Sequence, residues 1–93
     1  MKTYEMLYVL DAALSDEGKE AFVKKFEDIV ASNGKVVSTD KWGVKKLAYP
    51  IKYKHDGYYV LMTFEADGSV VKELDRVAGL SAEVLRRVIT AKN

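Results

Sequence analysis

Two periods organise the hydrophobic positions of this 93-residue chain. Residues 2 to 10 alternate with period two: Tyr4, Met6, Tyr8 and Leu10 share one face, and Leu7 and Val9 the other. The run is rich in aromatic residues and too short for a typical helix, which predicts a strand. Ser15 then stands where an N-cap belongs, followed by Asp16 and Glu17, whose charges suit the positive end of a helix dipole. Phe22, Val23, Phe26, Ile29 and Val30 repeat at helical spacing as one apolar stripe, and Asn33-Gly34 is expected to end that helix in left-handed backbone.

A second strand region runs from Lys35 to Tyr53, interrupted by Gly43 and Pro50. Gly43 suggests a bulge, and Pro50 cannot donate to a ladder, so both point to an edge strand. Asp56-Gly57 is a two-residue hairpin signal, because a type I′ turn wants positive φ at both positions. With that turn His55 faces Tyr58, and the register pairs Tyr53 with Val60, Ile51 with Met62 and Tyr49 with Phe64, all on the core face. Asp67-Gly68-Ser69 offers a turn and a cap before Val70, Val71, Leu74, Val77 and Ala78, which repeat the spacing of the first helix; Gly79 ends the second. Val84 to Ala91 fits a helix or a strand, and the sequence Val88-Ile89-Thr90 favours strand.

The order β-α-β-β-α-β predicts an α+β, ferredoxin-like domain over residues 1–93: a four-stranded antiparallel sheet with two helices on one face. Right-handed crossovers put the first and third strands in the centre. The face without helices then carries Leu7, Val9, Tyr59 and Leu61, a contiguous apolar patch of the kind that meets a protein partner. The plain alternative is that these are merely large strand formers.

Composition narrows the function. Hydrophobic residues make up 48% of the chain and charged residues 31%, enough apolar surface for one folded domain. There is no cysteine, so no disulfide or thiolate site is available. No basic-then-apolar leader follows Met1 and no apolar run is long enough for a bilayer span, so a soluble intracellular protein is expected. The net charge of +1 says little, but its distribution is polarised. Lys41, Lys45, Lys46, Lys52 and Lys54 lie in a stretch without an acidic residue, and Arg86, Arg87 and Lys92 cluster near the end. Asp16, Glu17, Glu20, Glu27 and Asp28 gather on the first helix. Ordinary solvated faces would also produce such runs. His55 is the sole histidine, and no phosphate-binding loop or nucleophile elbow is present, so neither catalysis, a metal nor a cofactor is expected.

The segment Lys41-Trp42-Gly43-Val44-Lys45-Lys46-Leu47-Ala48-Tyr49-Pro50-Ile51-Lys52 closely resembles the signature of the bacterial small-subunit ribosomal protein "S six" family: Trp-Gly, basic residues, then Leu-Ala-Tyr-Pro-Ile. Tyr4-Glu5-Met6, Gly57-Tyr58-Tyr59-Val60-Leu61-Met62 and Val84-Leu85-Arg86-Arg87 resemble it too, in the same order and spacing, so the likeness spans essentially the whole chain. It departs at Val44, where the family often has a basic residue, and it shows no long acidic tail of the kind some members carry.

The resemblance implies a non-catalytic protein of the small ribosomal subunit that binds ribosomal RNA as a heterodimer with ribosomal protein "S eighteen" in the subunit platform. On this basis RNA contact is expected at Lys45, Lys46, Arg86 and Arg87, with Trp42 either stacking on RNA or packing on its own strand; Lys52 and Lys54 join them because phosphate contact needs cations in fixed geometry, which a rigid hairpin provides. Leu7, Val9, Tyr59 and Leu61 are the candidate surface for the protein partner. The competing expectation is a self-associating ferredoxin-like module that binds a small ligand, for which the apolar sheet face is the motive.

Overall fold

The computed structural model describes residues 1–51 and 53–92. The elements follow in the expected order: β1 (Lys2–Asp11), α1 (Asp16–Asn33), β2 (Gly34–Ile51), β3 (Lys54–Ala66), α2 (Gly68–Leu80) and β4 (Val84–Ala91). The sheet is antiparallel in the order β2-β3-β1-β4, which puts β1 and β3 in the centre and leaves Pro50 on an edge strand. Period two in β1 and β3 sends Met6, Tyr8, Leu10, Val60, Met62 and Phe64 to the helix side, where all are fully buried. Val23, Phe26 and Val30 of α1 and Val70, Leu74 and Ala78 of α2 close over them. Each large side chain buried this way stabilises the fold by about 1.5–3 kcal/mol, so this single layer contact carries the domain. Tyr8 meets Phe26 edge to face at 4.9 Å between ring centres.

α1 starts as the sequence indicates: the Ser15 hydroxyl accepts the Gly18 amide at 3.1 Å. Its end differs. Gly34 is extended rather than left-handed, with φ −171°. A side chain there would run into the Glu65 carbonyl oxygen of β3, so what the position requires is close approach between strands.

The hairpin between β2 and β3 also differs. Asp56-Gly57 forms no turn; both residues are inside β3, with Asp56 opposite Lys46 and Gly57 opposite Lys45. The chain reverses between Ile51 and Lys54, which are paired. Instead of facing the core, Tyr49 and Tyr53 are 61% and 97% exposed. The reason is tertiary. Moving the turn outward adds Asp11↔Gly57 to the pairing with β1, and Lys45↔Gly57 and Lys46↔Asp56 to the pairing with β2. At the Asp11↔Gly57 pair the missing side chain of Gly57 makes room for Val9. A local turn preference worth a fraction of a kcal/mol to about 1 kcal/mol yields to that pairing and its burial.

β2 absorbs the mismatch through irregularities. Val37 and Trp42 are each one residue in excess of β3, and Leu47 to Pro50 bulge out opposite His55. Gly43, with φ 88°, completes the Trp42 bulge, as its position in the pattern suggested. Tyr53, second of the two residues between Ile51 and Lys54, has φ 65°, the one positive value among the described non-glycine residues. For a residue with a Cβ this costs about 1–2 kcal/mol.

Candidate nucleic-acid interface

The bulge at Trp42 shapes the open face of the sheet. The extra residue turns the indole across the neighbouring strand, where it stacks on Tyr59 with centroids 6.3 Å apart and planes within 10°. Its Nε1–H donates to Oδ2 of Asp40 at 3.1 Å. The Lys45 ammonium stands over the indole, 5.1 Å from the ring centre. Cation and ring attract through the ring quadrupole, by about 0.5–1 kcal/mol at an exposed site. Trp42 is therefore packed on its own sheet and still 41% exposed.

The four apolar residues expected on this face are there, side by side: Leu7 pairs with Leu61, and Val9 with Tyr59. They are better covered than an open sheet face predicts. Val9 is buried, and Leu7, Tyr59 and Leu61 are half-buried, because Trp42 leans on one flank. On the other flank Arg86 and Val88 of β4 join Leu7, Val9 and Tyr59 around a cavity of about 270 Å³. Val88 extends the patch and was not singled out in the sequence; period two from Arg86 would have found it.

The basic residues divide between the two faces. Lys45 and Arg86 lie on the open face, the first over Trp42 and the second in the wall of the cavity. Lys46 is exposed on the ribbon. Arg87, one residue on, points to the helices: its Nε donates to Oδ1 of Asp75 at 2.8 Å, and its guanidinium lies against Gly79. Lys41 likewise faces α1, bonded to Glu20 at 2.6 Å, which holds its pKa above the ordinary lysine value. Thr39 donates to Glu27 beside it. Part of the acidic charge on α1 thus engages β2, leaving Lys45 and Lys46 to solvent.

Lys54 pairs with Asp11 at 3.3 Å, bridging the ribbon to the end of β1. The Ala13 amide and Lys54 together hold the Asp11 carboxyl below the usual carboxylate range. Lys52 lies outside the described residues. Asp40, like Val88, is a member of this site that the sequence reading missed; its spacing of two from Trp42 on one strand was the available signal.

Larger grooves run between the two helices and between α1 and β2; one between the helices, of about 440 Å³, includes Ile29, Ser69, Lys72, Glu73 and Arg76, the last two bonded to each other at 2.6 Å. No set of three or more His, Cys, Asp or Glu among the described residues is arranged to hold a metal. No described helix is long and apolar enough to cross a membrane.

Comparison with known proteins agrees with this architecture. The family model described as Ribosomal protein S6 matches residues 3–91. Small ribosomal subunit protein bS6 of Clostridium botulinum (strain Loch Maree / Type A3) is 43% identical over 90 residues, covering 96% of each chain. The protein of the same name from Thermoanaerobacter pseudethanolicus is 41% identical over 90 residues, covering 96% of this chain and 95% of its own. The crystal structure of 30S ribosomal protein S6 from Thermotoga maritima superposes with a TM-score of 0.92 at 25% identity, over 98% of this chain and 87% of that one. The chain belongs to the ribosomal protein S6 family, a structural and non-catalytic constituent of the small ribosomal subunit.

Proposed function

We propose that this chain binds small-subunit ribosomal RNA together with ribosomal protein S eighteen, using its basic ribbon and open sheet face. The observation that carries the reading is the ordered lysine: Lys45 stands over an indole that Tyr59 and Asp40 hold in place. A free lysine loses up to about 2 kcal/mol of rotamer entropy when a phosphate fixes it. A cation already resting on a packed ring has less left to lose, so more of the phosphate attraction becomes affinity. Lys46 beside it and Arg86 across the sheet extend the cationic surface, and Lys54, paired with Asp11, continues it along the ribbon.

Arg87 is the weakest of the expected contacts, because a phosphate there competes with Asp75. Trp42 acts chiefly by packing, as the support of Lys45. The patch of Leu7, Val9, Tyr59, Leu61 and Val88 takes the protein partner, whose apolar side chains would fill the shallow cavity among them. The charges sit at its margin, where a rim between protein and RNA belongs.

The test is Lys45→Glu combined with Lys46→Glu. Both side chains are exposed, so the circular dichroism spectrum stays as it was, and stability falls by no more than the lost cation–ring attraction of about 0.5–1 kcal/mol. Affinity for the complex of RNA and S eighteen falls. The slope of log affinity against log salt drops by roughly one to two, the counterions of two phosphate contacts. Unchanged affinity and slope would overturn the proposal.

A further inference from the structure

We propose that Tyr53, at the tip of the β2–β3 ribbon, is a stacking platform for an unpaired nucleobase of RNA. This contact rests on the RNA-binding reading above and extends it from phosphate to base. Two features converge on the residue. It is 97% exposed, whereas tyrosines usually bury most of their apolar body. Its backbone is held at φ 65°, a conformation that Gly or Asn would adopt with less strain. The turn thus presents a bulky ring at a position where a smaller residue would serve the fold better.

The sequence around it is rich in cations. From Lys45 to Gly57 the sequence holds Lys45, Lys46, Lys52 and Lys54 against one acid, Asp56. Tyr49, 61% exposed, supplies a second ring on the same ribbon. Rings interleaved with cations match single-stranded RNA, in which each base offers a π face and each linkage a phosphate. A continuous duplex has no free base face, so the matching element is a loop, bulge or junction. An apolar pocket on a protein would give the ring a home without any use for the lysines.

The experiment is filter binding of the full chain, with S eighteen present, to a small-subunit ribosomal RNA transcript. Tyr53→Ala weakens binding about tenfold, the scale of one lost base stack. Tyr53→Phe stays within about twofold, and neither changes the salt slope, because stacking releases no counterion. Tyr53→Asn unfolds at the same or a higher urea concentration than the parent chain yet loses the same affinity, as expected of a strained residue kept for binding. RNA affinity within about twofold of the parent for Tyr53→Ala and Tyr53→Asn would overturn the proposal. If Lys45→Glu with Lys46→Glu still weakens binding in that case, only the stacking contact is lost; if it does not, the RNA-binding reading falls as well. A Tyr53→Ala defect confined to binding of isolated S eighteen would assign the ring to protein and also overturn it.

Discussion

Replacing Gly57 by alanine tests the strand geometry on which the site is built. Gly57 lies in the middle of the sheet, opposite Asp11 on β1 and Lys45 on β2. A Cβ at this position falls on Cγ1 of Val9, far inside van der Waals contact, and comes within 3.4 Å of Cδ2 of Leu47. Val9 is 2% exposed and has little freedom to retreat. Overpacking of this kind costs about 1–3 kcal/mol, and the lower unfolded-state entropy of alanine returns only about 0.4–1 kcal/mol. The net expectation is a loss of about 1–2 kcal/mol, measured by urea unfolding followed by circular dichroism. A glycine in a left-handed turn would also suffer from alanine, so the single variant does not separate the two geometries. The pair does: Val9→Ala removes the methyl that collides. Combined with Gly57→Ala, it should be more stable than the sum of the single losses predicts, by about 1 kcal/mol or more. Additive losses, or a Gly57→Ala chain as stable as the parent, would refute the placement of Gly57 against Val9.

Two other perturbations probe the core and the base of the ribbon. The Tyr8 hydroxyl is buried without a hydrogen-bond partner among the described residues, and burial, with Glu27 and Glu20 nearby, pushes its pKa upward. Tyr8→Phe keeps the edge-to-face contact with Phe26 while deleting the unpaired group, so it should hold or raise stability by up to about 1–2 kcal/mol in urea melts. Asp11 has a carboxyl pKa lowered by the Ala13 amide and by Lys54. Its contribution to stability is therefore complete above the ordinary carboxylate pKa of about 4 and vanishes as pH falls through the lower folded value. Asp11→Asn should be the less stable chain at pH 7, with the difference shrinking below about pH 4 in a pH series of melts; a gap that stays constant would show that the carboxylate charge is not responsible.

The placement of the cations shows how much of the site was legible. Arg86 and Arg87 are adjacent in sequence, and period two alone sends them to opposite faces; which face receives which was decided by the register of β4 against β1. Val9 pairs with Arg86 and Tyr8 with Arg87, and a residue in excess, Leu85, intervenes before Val84 meets Leu10. Trp42 was recognisable as the side chain beside a bulge glycine, but not its partner. Stacking on Tyr59 follows from the pairing of Gly43 with Tyr59, a contact across the sheet that no local pattern contains.

What the amino-acid order determined by itself is the set of elements and the inward faces of β1, β3 and the two helices. Periodicity is a property of the chain, and burial of a stripe or a strand face follows directly from it. The family signature was equally open, since it is a string of residues. Only the tertiary structure decided where the β2–β3 hairpin turns. Asp56-Gly57 has the local chemistry of a turn, yet the pairs these residues make with Asp11 on one side and with Lys45 and Lys46 on the other outweigh it. That shift carries Tyr49 and Tyr53 out of the expected core and onto a projecting ribbon. A turn preference acts over two residues, whereas strand pairing adds up along the strand, so the long-range term sets which side chains remain available for binding.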